Sequence, residues 1–310
     1  MRPSQRTDDD GPSDAALAET DRIMGSLVRE GRAPSYVYAV FDRSGILHVA
    51  GGGPDAAGLD AAELQRLRFR IASMSKSFTA AAILRLTNDG LLHLDQAAAD
   101  IVPEMSHVTR FRDDDPGITI ADLLSMRSGL ATDDAWADRQ ESMTPEDLQA
   151  LLRRGVRTVF SPGEAYEYSN LGYAVLGRII RTITGEEPAA YIESRIMRPL
   201  GLADTTYDFR RTPAGLLITG CHAAPAIAGE ERPRTWEKET FTAPGAFSVI
   251  GGVISSLKDV AAWDRWLAAA FDDAVRSHVH DEVLPASLRR IMQTGHTPIP
   301  PVLRSGSSRG

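Results

Sequence analysis

Residues 70–90, RIASMSKSFTAAAILRLTNDG, limit what this chain can fold into more than any other stretch. Met74, Phe78, Ala80, Ala81, Ala82, Ile83, Leu84 and Leu86 leave almost no polar face. A helix that is apolar nearly all round is buried, so the rest of the chain has to be built around it. Asn88-Asp89-Gly90 ends it, with Gly90 suited to the left-handed residue past a helix end. The polar residues at its start run against this pattern. Ser73 and Lys76 share a helical face, one turn apart. Both are expected in the first turn, where unpaired N–H groups and the helix dipole disfavour an ammonium and favour an oxyanion. A lysine that can lose its proton, set beside a serine, makes an activated nucleophile. The chain has three lysines, Lys76, Lys238 and Lys258, and every other strong base is arginine, which cannot give up its proton. A lysine kept at 76 suits a task that needs a neutral amine.

Ser-x-x-Lys alone is a weak signal, because Ser255 and Lys258 match it too. There the structural reading is stronger. Ser256 and Asp259 read as a capping box opening a helix over residues 257–270, with Trp263, Trp266 and Leu267 on its apolar face. No acidic or amide side chain stands at 76 to complete such a box for Ser73. A second stretch, residues 160–172, FSPGEAYEYSNLG, begins with a Pro162-Gly163 turn. Its Tyr168-Ser169-Asn170 leads into an amphipathic helix carrying Leu171, Val175, Leu176, Ile179, Ile180 and Ile183, with Gly185 as its stop. Standing alone, the segment would make Asn170 a helix cap and Tyr168 a packed aromatic.

Taken together, the two stretches resemble a known family. Ser73-Met74-Ser75-Lys76 and Tyr168-Ser169-Asn170 are similar to the first two motifs of the serine β-lactamase and penicillin-binding protein superfamily. They are closest to its class C-like branch, which includes esterases and D-amino-acid peptidases. The surroundings agree: Gly90-Leu91-Leu92-His93-Leu94-Asp95 after the nucleophile helix, and residues 120–130, IADLLSMRSGL, with Met126-Arg127 where His-Thr is usual. Farther on come LGYAVLGRII and IMRPLGLADTT, then Gly251-Gly252-Val253-Ile254-Ser255-Ser256. The resemblance spans roughly residues 15–300 and is far more specific than either motif. It implies an α/β (α+β) fold of the β-lactamase/transpeptidase type, an antiparallel sheet flanked by helices plus a helical lobe over about 95–205. It implies catalytic Ser73 as nucleophile and Lys76 and Tyr168 as acid/base pair, with the base role open between them, and Asn170 as substrate-binding residue. It implies an acyl-Ser73 intermediate, and neither metal nor organic cofactor. The family's third motif, Lys/His-x-Gly on a strand that supplies a second oxyanion donor, has no match: His296-Thr297-Pro298 puts proline where glycine is needed. That strand and those after it are therefore expected to be absent. Loss of one oxyanion donor costs about a hundred- to a thousand-fold in rate.

The chain's 310 residues, 43% of them hydrophobic, suffice for a large core. A net charge of −8 with scattered arginines argues against nucleic acid and anionic membrane as partners. Cys221 is the single cysteine, so no internal disulfide forms, which fits a reducing compartment. Residues 1–13 read as a disordered leader without an apolar signal region, 14–300 as a single catalytic domain and 301–310 as a frayed tail. No apolar run approaches about eighteen residues, and the chain reads as cytoplasmic, with export the alternative if its start is incomplete. A helix is expected over 14–30, a hairpin over Tyr36–Phe41 and 46–50, and further helices opening at Thr119, Thr144 and Pro188. Gly306-x-Ser308-x-Gly310 lacks the strand and helix of a nucleophile elbow. His278-x-His280 lacks a third ligand at helical spacing. Two readings stand: a serine hydrolase acting on an ester, amide or β-lactam, and a catalytically impaired or truncated family member acting as a non-catalytic binding protein. The partner is a small-molecule or short peptide substrate, with the oligomeric state open.

Overall fold

A computed structural model describes residues 11–137, 139–223, 235–272 and 278–298. In chain order its principal elements are α1 (Asp14–Arg29), β1 (Tyr36–Phe41), β2 (Ile46–Gly52), β3 (Arg68–Arg70), α2 (Ser75–Asn88), α3 (Ile120–Leu124), α4 (Pro145–Arg153), α5 (Asn170–Thr184) and α6 (Pro188–Ile192). Next come β4 (Cys221–Ala223), β5 (Trp236–Lys238), α7 (Ser248–Gly251), β6 (Ile254–Ser256), α8 (Leu257–Ala268) and α9 (Ala286–Met292). Helices and antiparallel strand pairs share the chain, as an α+β fold requires. Among the described residues no strand follows β6. Among them, too, no helix is long and apolar enough to cross a membrane. Residues 1–10 of the expected leader, the expected tail over 301–310 and the Gly306–Gly310 motif lie outside the described residues.

The chain forms two compact units. The first comprises Met1–Ile71, Gly201–Thr242 and Ile254–Val279. Its β1–β2 hairpin is antiparallel, pairing Tyr36 with Gly52, and shifts register between Val40 and Phe41. Ala56, Leu64 and Leu67 are buried beneath it against Val37, Val49 and Phe69. β3 pairs antiparallel with β6, while Arg68 hydrogen-bonds Leu216 and Ile218 on its other edge. A third pair, β4 with β5, carries Cys221. Asp21 of α1 ties the hairpin down, accepting from Tyr38 Oη at 2.5 Å and lying 3.0 Å from His48 Nε2. α8 opens at Ser256, whose Oγ accepts Asp259 N at 3.2 Å. The expected reciprocal half of the box is not made. The Asp259 carboxylate turns to Asp204 N and Thr205 Oγ1, at 2.7 and 2.8 Å. Burial holds this carboxyl above the ordinary carboxylate range.

The second unit comprises Ala72–Leu200, Ala243–Val253 and His280–Gly310, and α2 is its centre. Phe78, Ala81, Ala82, Ile83, Leu84 and Leu86 are all buried, as the apolar run requires. The helix stops at Asp89, and Gly90 takes φ 71°. α5 buries most of one side, from Leu171 to Ile180, and ends at Gly185 with φ 72°. α5 and α7 approach so closely at Gly177 that a Cβ there would sit 2.9 Å from Val249 Cγ2. Thr119 and Asp122 cap α3 reciprocally, and Thr144 caps α4 with Pro145 at its first position. The single helix expected from Pro188 divides in two. α6 ends at Ile192 and a π-helical turn, Glu193–Met197, continues it.

Candidate active site

The nucleophile segment departs from simple helix geometry in one respect. Ser73 lies in a 3₁₀ turn, Ala72–Met74, and the α-helix begins only at Ser75. Ala72 holds φ 47°, a left-handed conformation that costs a residue with a Cβ of order 1 kcal/mol or more. This turn leaves Ser73 exposed while Ser75 and Lys76 are buried, at 0% and 6% exposure.

Lys76 Nζ donates to Ser73 Oγ at 3.1 Å and to the Ile250 carbonyl at 2.9 Å. Ile250 lies in α7, whose last carbonyls have no partner within so short a helix. Thr79 Oγ1 answers a second of them, the Val249 carbonyl, at 2.8 Å. From the same segment Val253 N donates to Ser75 Oγ at 3.1 Å. Thus α2 and the 248–253 segment are joined by three side-chain hydrogen bonds, and the amine is fixed on a side where a helix C-terminus favours positive charge. An amine in either charge state can donate to that carbonyl. The ring centroids of Tyr168 and Tyr173 lie 5.1 and 5.8 Å from Nζ, so the amine also rests over two aromatic faces.

Tyr168 Oη donates to Ser73 Oγ at 2.9 Å. Its position comes from the loop after α3. Met126, at φ 55°, turns its carbonyl to Glu167 N at 2.8 Å and its sulfur to Ser169 N at 3.4 Å. Gly129, at φ 77°, brings this loop so near residue 160 that a Cβ would sit 2.1 Å from the Phe160 carbonyl oxygen. Glu167 Oε1 then accepts from Thr132 N and Oγ1 at 3.1 and 2.5 Å. The two tyrosines have different surroundings. The Tyr173 hydroxyl is spent on the Leu124 carbonyl at 3.0 Å, and burial pushes its phenol far above the usual range, while Tyr168 points at the serine.

The N-cap of α5 is Ser169, whose Oγ accepts Gly172 N at 3.3 Å, and not Asn170 as the sequence alone suggests. Asn170 is the first helical residue, 1% exposed, one turn before Tyr173. Its backbone N–H and that of Leu171 both donate to the Asp133 carboxylate at 2.8 Å. Ser73, Lys76 and Tyr168 therefore meet at one oxygen atom, with Asn170 two residues beyond Tyr168. Ser255 does not join them. It is buried in β6 with its Oγ 2.8 Å from Thr205 Oγ1. The sequence reading missed Asp133, Met126 and the Ile250 carbonyl. An acidic Thr132-Asp133-Asp134 run just before a helix start was the one available signal for the first, and a backbone carbonyl leaves none.

Lys76 Nζ and Tyr168 Oη both touch Ser73 Oγ, so whichever of them is deprotonated can take the serine's proton, which is the requirement for a serine nucleophile. Comparison with known proteins places the chain in a family. The Beta-lactamase family model matches residues 20–298. Protein flp of Staphylococcus aureus (strain MW2) is 33% identical over 144 residues, which are 45% of this chain and 28% of that protein. The chain thus spans under a third of the length of that curated relative. Among solved structures, the octameric penicillin-binding protein homologue from Pyrococcus abyssi superposes with a TM-score of 0.70 at 22% identity, covering 90% of this chain and 60% of that one. A D-stereospecific amidohydrolase from Streptomyces sp. gives 0.70 at 23% identity, covering 92% and 78%. At such identities these structures share the fold with this chain.

Proposed function

The chain belongs to the Beta-lactamase family, and on that footing we propose that it is a serine hydrolase acting by acyl transfer. The observation that carries this reading is the convergence of Lys76 Nζ and Tyr168 Oη on Ser73 Oγ, at 3.1 and 2.9 Å. Ser73 Oγ attacks the substrate carbonyl carbon, and its proton passes to the Lys76–Tyr168 pair. Lysine can take that proton and arginine could not. The carbonyl oxygen, now an alkoxide, is held by the Ser73 backbone N–H just ahead of α2, near the end where the helix dipole favours negative charge. The tetrahedral species collapses, the bond to the leaving group breaks, and the Tyr168 phenol delivers a proton to the departing atom. Water then attacks the acyl-Ser73 ester by the reverse sequence and releases an acid. Asn170, at the buried start of α5, orients the acyl group.

Esters rank first as substrates because their carbonyl is less resonance-stabilised than an amide's and an alkoxide is a far better leaving group than an amide anion, with amides such as those of the D-stereospecific amidohydrolase next and β-lactams last. The test is steady-state hydrolysis of a p-nitrophenyl ester by wild type and Ser73→Ala. A loss of about a thousand-fold or more in the variant is expected. Unchanged turnover would refute the assignment.

A further inference from the structure

A cavity of about 270 Å³ adjoins the site inside the second unit. Its wall on α2 is made by Lys76, Ala80 and Leu84, which follow one another at helical spacing down a single face. Leu124 of α3 and Ile291 and Met292 of α9 line other sides, and the cavity opens to solvent. Lys76, whose amine touches Ser73 Oγ, is thus shared between the cavity wall and the site, and the cavity is lined from three helices. Beyond Lys76, the polar residues of the lining are engaged elsewhere: Ser77 Oγ donates to the Met74 carbonyl at 2.7 Å, Ser125 Oγ to that of Ala121 at 2.6 Å, Tyr173 Oη to that of Leu124 at 3.0 Å and His296 Nε2 to that of Ile291 at 2.8 Å, while Arg127 pairs with Asp122 at 2.9 Å. Past Lys76 the α2 wall is the hydrocarbon of Ala80 and Leu84, and pockets lined mostly by such residues take apolar ligands.

We propose that this cavity holds the acyl chain of the substrate, which makes the substrate an ester or amide of a linear aliphatic acid of about eight to ten carbons. The proposal rests on the serine-hydrolase reading and deepens it. At roughly 30 Å³ per water-sized group, the volume takes about nine such groups. The acyl half is the part to enclose, because it stays covalently attached while the leaving group departs past exposed Ser73 into solvent. Each methylene buried is worth about fourfold in binding, so discrimination accumulates along the chain until the cavity is full.

The experiment has two arms. In the first, kcat/KM is measured for p-nitrophenyl esters from acetate to dodecanoate on wild type and on Ala80→Phe, with folding checked by circular dichroism. A rise to a maximum near octanoate is expected, and Ala80→Phe lowers the octanoate-to-acetate ratio at least about tenfold. A flat profile, or a maximum that Ala80→Phe leaves in place, overturns the proposal. In the second arm, octanoate and acetate binding to Ser73→Ala are compared by calorimetry, which needs no turnover and no cavity variant. Octanoate binding at least about a hundredfold tighter supports the cavity even if no ester is hydrolysed, in which case only the serine-hydrolase reading fails. Equal affinities, or no octanoate binding, overturn the cavity even if Ser73 proves active.

Discussion

The carboxylate of Asp133 receives the backbone N–H of Asn170 at 2.8 Å and, with its other oxygen, that of Leu171 at the same distance. It thereby satisfies two of the N–H groups that the start of α5 leaves open, and it fixes the segment that carries Tyr168. Asp133→Ala is expected to cost about 1–2 kcal/mol in stability, read as a lower urea midpoint. Turnover is expected to fall by more than the loss of folded protein accounts for, because Tyr168 is no longer held on Ser73. Asp133→Asn keeps one acceptor and should fall between. A variant as fast as wild type per folded molecule would remove Asp133 from the positioning of the site.

On the proposed acyl-transfer mechanism, Lys76 contributes through its ability to exchange a proton and not through its charge alone. Lys76→Arg preserves the charge and removes that ability. The rate of acyl-enzyme formation by single-turnover kinetics is expected to drop about a hundred- to ten-thousand-fold in Lys76→Arg and similarly in Lys76→Ala. Retention of the rate by Lys76→Arg would assign the base role to Tyr168.

Gly177 is required by the approach of α5 to α7, where a Cβ would meet Val249 Cγ2 at 2.9 Å. Gly177→Val is expected to destabilise by about 1–3 kcal/mol through overpacking, although glycine is the poorer helix former. Combining it with Val249→Ala should give back part of that loss, so that the double variant is more stable than the sum of the two single changes. Strict additivity would show that the two residues do not touch.

The Asp21 carboxyl is held below the ordinary aspartate value of 3.8, first by the Tyr38 hydroxyl and then by His48. A lowered folded-state pKa contributes stability that is fully present above 3.8 and is lost as pH falls through the folded value. Acid unfolding of wild type is therefore expected to include this group. Asp21→Asn should be less stable near neutral pH and lose less on acidification below about pH 4. Parallel curves for the two proteins would exclude the linkage.

What the sequence revealed was local. The apolar run of α2, the left-handed glycines at 90 and 185, and the caps at Thr119 and Thr144 each depend on residues within one turn of one another, so pattern and propensity suffice to place them. The pair Ser73–Lys76 was legible for the same reason. Its exact setting was not: a left-handed Ala72 and a 3₁₀ turn put Ser73 just ahead of the α-helix, and no propensity favours that conformation for alanine. Ser256 and Asp259 show the limit from the other side. The motif for a capping box is present, yet the carboxylate is drawn to Asp204 and Thr205 by a contact the local sequence cannot encode. Asp133 and the Ile250 carbonyl reach the site from 37 and 174 residues away, and only the tertiary fold reveals them.

The most direct test of a nucleophilic Ser73 is active-site labelling with an acylating probe, read by intact mass on wild type and Ser73→Ala, with circular dichroism to establish that both are folded. One adduct per chain on wild type and none on Ser73→Ala is the expected result. An adduct that survives in Ser73→Ala, or a folded wild type that takes no adduct at all, would contradict it.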